Sequence, residues 1–90
     1  MKVYISGMIS NSQNYEKYFK EAEDKLKESG YVVLNPVKNI GFSYKDYIDM
    51  SLAELSKCDA IFMMKNWQFS SGACLERMYA MTVGLEVIYE

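Results

Sequence analysis

Residues 60–84 read AIFMMKNWQFSSGACLERMYAMTVG, and they carry the clearest indication of the fold class. The stretch begins with an apolar run without alternation, which is typical of a strand covered on both faces of a sheet. After a polar loop, a helix is predicted from about Gly72 to Val83, with Gly84 as its stop signal. A buried strand followed by a helix indicates an α/β protein with a parallel sheet.

The remaining sequence continues this alternation of strands and helices. The predicted elements are a strand at Lys2–Ser6, a helix that begins after Ser12 or Asn14 and ends at Gly30, a strand at Tyr31–Leu34, a mobile or ligand-covering loop at Val37–Ser43, a helix at Tyr44–Lys57 and a last strand at Val87–Tyr89. Right-handed crossovers favour a small doubly wound, flavodoxin-like or Rossmann-like sheet of four parallel strands in the order 2-1-3-4, with helices on both faces. The length of 90 residues suits a single domain.

Glu76 is the unusual residue of the last predicted helix. The positions one turn away from it hold no cation, because they are Gly72, Ala73, Tyr79 and Ala80. Most of this helix is apolar, so the carboxylate is expected to be at least half-buried. Either it serves as a nucleophile or general base, or a Lys or Arg from elsewhere in the fold pairs with it.

The predicted topology brings two loops together beside Glu76. Ligands of doubly wound sheets bind at the carboxyl ends of the strands where the winding reverses, which here joins Gly7–Ser10 to Lys65–Glu76. Ser70 and Ser71 precede the helix, where they can form an ordinary cap or bind a phosphate or a sugar hydroxyl. Gly72 lowers helix stability and is easier to explain if a ligand approaches the backbone.

Aromatic residues accompany the same loops. Trp67, Phe69 and Tyr4 can form a wall against a flat base, or they can belong to the core or to a subunit interface. Both interpretations stay open from the sequence.

Composition argues against several classes of function. The formal net charge of −2 and a pI near 5.1 provide no basic face for polymeric nucleic acid. There is no histidine, no P-loop and no dinucleotide-binding glycine pattern, so neither a metal nor a cofactor is predicted. No segment has the length of a signal peptide or a membrane span, so we expect no membrane contact and a cytoplasmic location. Cys58 and Cys74 form no CxxC pair and are expected to be free thiols.

Several stretches together resemble a known family. They are Val3–Gly7, Gly30–Pro36, Cys58–Ile61 and Trp67–Glu76, and the most specific part is the spacing of Trp67, Ser70, Gly72, Ala73 and Glu76. These residues resemble the DUF4406 domain family of small phage and bacterial proteins. That family looks like a compact branch of the nucleoside 2-deoxyribosyltransferase superfamily, and the resemblance implies one such domain over residues 1–90.

The resemblance implies roles for individual residues. In the superfamily a helix glutamate attacks the anomeric carbon of a sugar and forms a glycosyl-enzyme intermediate, and Glu76 falls on that position. Ser70 corresponds to the phosphate-binding serine of the deoxynucleoside 5′-monophosphate N-glycosidases, which favours a nucleotide over a nucleoside. The substrate-binding residues predicted from the resemblance and from the loops are Tyr4, Gly7, Met8, Ile9, Ser10, Trp67, Ser70, Ser71 and Gly72.

The relatives also carry an acid that assists the leaving base. Its aligned position here is Ser51, and Asp49 on the same predicted helix is the catalytic candidate beside Glu76.

Three functions follow as hypotheses. The first is cleavage or base exchange at the N-glycosidic bond of a (deoxy)nucleotide or nucleoside. The second is non-catalytic nucleotide binding on the same scaffold, and the third is a structural oligomer in which a basic residue pairs with Glu76. A homo-oligomer is expected in each case, because Trp67, Phe69 and the Met-rich final helix offer more apolar surface than a four-stranded sheet can cover.

Overall fold

The computed structural model describes residues 1–9 and 14–90. Its elements are β1 (Lys2–Ser6), α1 (Tyr15–Glu28), β2 (Val32–Leu34), α2 (Tyr44–Leu55), β3 (Ala60–Met63), α3 (Ser71–Val83) and β4 (Glu86–Tyr89), with short 3₁₀ turns at Pro36–Asn39 and Trp67–Phe69. Ser10, predicted to bind substrate, and Ser12, a predicted helix cap, lie outside the described residues. None of the helices in the described ranges combines the length and the apolar character needed to cross a bilayer.

The described strands form one parallel sheet in the order β2-β1-β3-β4, which confirms the predicted fold class and strand order. β1 lies in the interior of the sheet, where Tyr4 is opposite Leu34 of β2 and Ile61 of β3. β2 lies on one side of β1, and β3 lies on the other. The winding of the chain therefore reverses at β1, and a crevice opens at the carboxyl end of this strand.

Side-chain alternation along β1 divides the core into two halves, as a sheet with helices on both faces requires. The first half joins Val3 and Ile5 to Phe19, Ala22 and Leu26 of α1. The second half joins Tyr4 to Leu55 of α2 and to Ala73 and Ala80 of α3. The helices α2 and α3 therefore share the sheet face on which Tyr4 lies.

Helix boundaries differ slightly from the predicted ones. α2 ends at Leu55 instead of Lys57, and its N-terminus is capped by Ser43, whose side chain accepts a hydrogen bond from the Asp46 N–H. α3 ends where Gly84 adopts the left-handed conformation at φ 84°, as predicted for a glycine stop signal. The predicted loop at Val37–Ser43 is partly ordered into the 3₁₀ turn at Pro36–Asn39.

Candidate active site

Glu76 lies in the interior and is held by two hydroxyl groups from β1. Its side chain is 3% exposed. The Tyr4 hydroxyl donates a hydrogen bond to Oε2 at 2.7 Å, and the Ser6 hydroxyl donates one to Oε1 at 2.6 Å. No ion pair to Glu76 occurs among the described residues, so the expected Lys or Arg from elsewhere in the fold of this chain does not pair with it.

Burial changes the protonation of Glu76. It raises the pKa of this carboxyl from the ordinary 4.5 to about 7, although the hydrogen bonds from Ser6 and Tyr4 lower the pKa part of the way back. A carboxyl with this pKa is substantially ionised near neutral pH, so it can act as a nucleophile or as a base. Burial, followed by the charge of Glu76, also raises the pKa of Tyr4, so this phenol stays protonated and remains a donor.

The positions of these three side chains follow from the periodicities of β1 and α3. Tyr4 and Ser6 are two residues apart on a strand, so both point to the same face of the sheet. Glu76 belongs to the buried stripe of α3, together with Ala73 and Ala80 at helical spacing. Small alanine side chains let α3 approach the sheet closely, which brings the carboxyl to the two hydroxyl groups.

A cavity of about 640 Å³ opens beside Glu76 at the carboxyl end of β1. It is lined by Gly7 and Ile9 after β1, by residues 40–42 before α2, by Tyr44 and Tyr47 of α2, and by residues 69–73 together with Glu76 around the start of α3. Small-molecule sites typically occupy about 300–1,000 Å³. The cavity is therefore large enough for a ligand that reaches the carboxyl group.

Aromatic side chains dominate the open side of this cavity. Phe42, Tyr44 and Phe69 line it and remain more than half exposed. They are free to contact a flat apolar group. Phe42, Tyr44 and Tyr47 were not predicted as site residues, although Tyr44, Tyr47 and Ser51 recur at the spacing of one helix face in the sequence.

Of the predicted substrate-binding residues, five line the cavity with Glu76: Gly7, Ile9, Ser70, Ser71 and Gly72. Tyr4 lies beneath it, fully buried and bonded to the carboxyl group. Ser70 also caps α3, because its hydroxyl accepts a hydrogen bond from the Ala73 N–H at 3.1 Å. Met8 does not line the cavity.

Trp67 lies away from the cavity, in a second depression that also contains Tyr89. The Arg77 guanidinium stacks over the Trp67 ring at 4.7 Å from its centroid and donates a hydrogen bond from Nε to the Tyr89 hydroxyl at 2.8 Å. Trp67 and Phe69 are the first and last residues of a 3₁₀ turn, and their side chains point in different directions. Of the two, only Phe69 lines the cavity beside Glu76.

The predicted acid partners occupy different environments. Asp49 is exposed and forms an ion pair with Lys45 at 3.0 Å, and it does not line the cavity. Ser51 is fully buried. The Ser51 hydroxyl lies close enough to Tyr4 and Tyr47 to lower the pKa of each, although burial raises both pKa values by more. Within the described residues this hydroxyl makes no well-formed hydrogen bond.

Two glycines of the site lie where elements pack closely against each other. A Cβ atom at Gly72 would lie 3.3 Å from the Tyr44 hydroxyl and 3.5 Å from Ile48 Cδ1, so the neighbour of this backbone is α2. A Cβ atom at Gly7 would lie 2.8 Å from Met64 Sδ, closer than real side chains approach. The protein itself therefore approaches the Gly72 backbone, where the sequence suggested a ligand.

Within residues 1–9 and 14–90, no three His, Cys, Asp or Glu side chains come together as metal ligands. Both Cys58 and Cys74 are free thiols, as predicted, and burial raises the pKa of Cys58 to about 11. The chemistry that the arrangement offers is that of one carboxyl group.

The fold and the site define a doubly wound α/β protein with a buried carboxyl group at the carboxyl end of its sheet. Over residues 1–89 the chain matches the family model described as "Domain of unknown function (DUF4406)", and it belongs to that family. No curated protein matches the chain.

Among solved structures, the chain is similar to one described as "2-desoxiribosyltransferase from Leishmania mexicana". The TM-score is 0.78 with 22% sequence identity, and the match covers 98% of this chain and 62% of the other. This similarity shows that the two share a fold, and the present chain spans less than two thirds of the length of that relative.

Proposed function

We propose that the protein cleaves or exchanges the N-glycosidic bond of a (deoxy)nucleotide or nucleoside, with Glu76 as the nucleophile. The observation that carries the proposal is a buried carboxyl group, held by Tyr4 and Ser6, at the wall of a ligand-sized cavity. The similar solved structure supports the same class of reaction, since its name is that of a transferase of deoxyribosyl groups.

The proposed reaction has two halves. In the first, one Glu76 oxygen forms a bond to the anomeric carbon, while the bond from that carbon to the base breaks and its electron pair leaves with the base. The base nitrogen takes up a proton from water. In the second, water or a second base attacks the same carbon, the ester bond to Glu76 breaks, and the carboxylate is restored with release of a proton.

Tyr4 and Ser6 position the nucleophile in this scheme. Each donates to a different oxygen of Glu76, which leaves a further lone pair on each oxygen for attack. Because both donors lie on one strand, the carboxyl plane is fixed before the ligand binds, which lowers the entropic cost of reaching the reactive geometry.

The test is the substitution Glu76→Gln, which preserves the size and removes the negative charge. We expect base release from a panel of nucleosides and nucleotides to fall by at least about a hundredfold, because an amide is a poor nucleophile and a poor base. Chromatographic detection of the free base is the measurement. Glu86→Gln, on the exposed start of β4, is the matched control and should retain activity.

Equal base release by the wild type and Glu76→Gln would contradict the catalytic proposal. A second candidate function, non-catalytic binding of a nucleotide-derived ligand, is favoured by the placement of Asp49 outside the cavity, which leaves Glu76 as the carboxyl group lining it within the described residues. Ligand binding in calorimetry without any product would select this function.

The same proposal includes self-association and a reducing compartment. Leu75, Met78 and Met81 lie on one side of α3 and are 44–66% exposed, so an uncharged apolar stripe is available to a second copy of the chain.

Free thiols at Cys58 and Cys74 are the state expected in the cytoplasm.

A further inference from the structure

The charge of the cavity bears on which ligand it can accept. Among its described lining residues, the one ionisable carboxyl or amine is the Glu76 carboxyl group. The rest of the lining consists of glycine and alanine, serine hydroxyls, and the apolar or aromatic side chains of Ile9, Ile40, Phe42 and Phe69 together with two tyrosines. A ligand bound here meets a negative charge and an apolar rim.

The cations nearest in sequence to the cavity do not line it. Lys38 pairs with Glu54 at 2.7 Å, and Lys45 pairs with Asp49 at 3.0 Å. Arg77 stacks on Trp67 in the second depression, whose lining also includes Lys65. The undescribed residues 10–13 are Ser-Asn-Ser-Gln and bring no charge. A phosphate in the cavity would therefore lack the Arg or Lys partner that usually compensates it.

The start of α3 offers only a weak substitute. A helix N-terminus carries roughly half a positive charge, whereas a phosphate monoester carries about −1.5 to −2 near neutral pH. One of its N–H groups, that of Ala73, already bonds to the Ser70 hydroxyl at 3.1 Å. Glu76 lies five residues after Ser71 on the same helix, so its ionised form opposes any phosphate bound at this end.

We propose that the site takes an uncharged N-glycoside, a nucleoside whose sugar carries no phosphate, and discriminates against the corresponding 5′-monophosphate. This inference rests on the proposed function and narrows its substrate class. It reverses the preference for a nucleotide that Ser70 suggested in the sequence, because Ser70 serves as the cap of α3 and no cation accompanies it among the residues that line the cavity. The aromatic rim formed by Phe42, Tyr44 and Phe69 then contacts the base.

The experiment compares matched ligand pairs with the wild-type protein. Isothermal titration calorimetry is carried out with each common 2′-deoxynucleoside and its 5′-monophosphate at about pH 8, where Glu76 is ionised. We expect at least one nucleoside to bind about tenfold or more tightly than its monophosphate. The inference is overturned if the monophosphate binds as tightly as its nucleoside in every pair that binds, or if no member of any pair binds.

A charge variant tests the cause of the discrimination. Ile40→Lys places a cation on the cavity lining and should improve the affinity for the monophosphate relative to the nucleoside by about tenfold. Val83→Lys adds the same charge at an exposed position near the end of α3 and should leave the ratio of affinities unchanged. Equal ratios in the two variants would contradict the electrostatic explanation.

Base release separates this inference from the proposed function. If monophosphates bind as tightly as nucleosides while base release still requires Glu76, the inference fails and the proposed function stands. If nucleosides bind selectively but no base is released, the ligand class stands and the catalytic proposal fails.

Discussion

At the scale of single residues, Glu76 combines its proposed chemical role with a cost in stability. Its pKa is about 7 in the folded protein and near the ordinary 4.5 in the unfolded chain. Between these values the unfolded state loses its proton first, so the free energy of unfolding decreases as the pH rises from about 4.5 to 7. Below this window both states are neutral, and above it both are ionised.

This linkage gives a prediction for Glu76→Gln that does not depend on any substrate. Between about pH 5 and pH 8 the wild type should lose about 2–3 kcal/mol of stability relative to Glu76→Gln, because only the wild type must ionise a buried group. Urea unfolding of both proteins at the two pH values measures the difference. The control is Glu86→Gln, which removes an exposed carboxyl group from the start of β4. The difference in stability between the wild type and this control should be nearly the same at pH 5 and at pH 8.

A constant difference between the wild type and Glu76→Gln across this range would show that Glu76 is not desolvated. Glu76 would then lack the environment on which its proposed reactivity depends.

At the scale of elements, the site depends on how closely α2 and α3 approach each other and the sheet. Gly72 lies in the first turn of α3 beside Tyr44, whose exposed side chain can move by a few tenths of an ångström. Gly7 follows β1 beside Met64, where even the Cβ atom of Met64 would be only 3.0 Å from an added methyl group. The Tyr44 hydroxyl can therefore move away from an added methyl group more easily than the Met64 Cβ atom can.

The two glycines should therefore respond differently to alanine. Gly72→Ala is expected to change the free energy of unfolding little or to raise it by up to about 1 kcal/mol, because alanine favours the helix and Tyr44 can yield. Gly7→Ala is expected to lower it by about 1–3 kcal/mol, because the added methyl group overpacks against Met64. Chemical denaturation of both variants is the measurement.

Combining Gly7→Ala with Met64→Ala provides the control, because the second change removes the Sδ and Cγ atoms of Met64 and leaves only its Cβ atom near the added methyl group. The loss in the double variant should be smaller than the sum of the two single losses. Additive losses would contradict overpacking against Met64 as the cause.

At the scale of the whole molecule, the exposed stripe on α3 is expected to join two copies of the chain. The stripe consists of Leu75, Met78 and Met81, and it carries no charge that would oppose pairing with an identical surface. Charged side chains are depleted at the cores of such interfaces.

Sedimentation velocity at micromolar concentration tests this prediction. The wild type should sediment as a dimer or a larger oligomer, and Met78→Lys should shift it toward the monomer by placing a desolvated charge at the interface. Tyr18→Lys adds the same charge at an exposed position of α1 and should not change the assembly. A wild type that sediments as a monomer would contradict the prediction.

The sequence by itself determined the order of strands and helices, the parallel sheet and the prominence of Glu76. These features depend on local periodicity and on turn residues such as Gly84, and both can be recognised within a window of about 11–18 residues. The chirality of the crossovers then restricts the strand order to a few possibilities. For the same reasons the loops that meet at the carboxyl end of β1 were predictable.

Only the tertiary structure decided what surrounds Glu76. Its hydrogen-bond donors Tyr4 and Ser6 are separated from it by 72 and 70 residues in sequence. The docking of α3 on the sheet selects them, and no local pattern encodes that docking. Tyr47 joins the cavity and Asp49 leaves it because two residues along a helix correspond to a rotation of about 200°. Glu76 was recognisable from the sequence as a charge in need of a partner, and packing across the sheet supplied two hydroxyl groups instead of a cation.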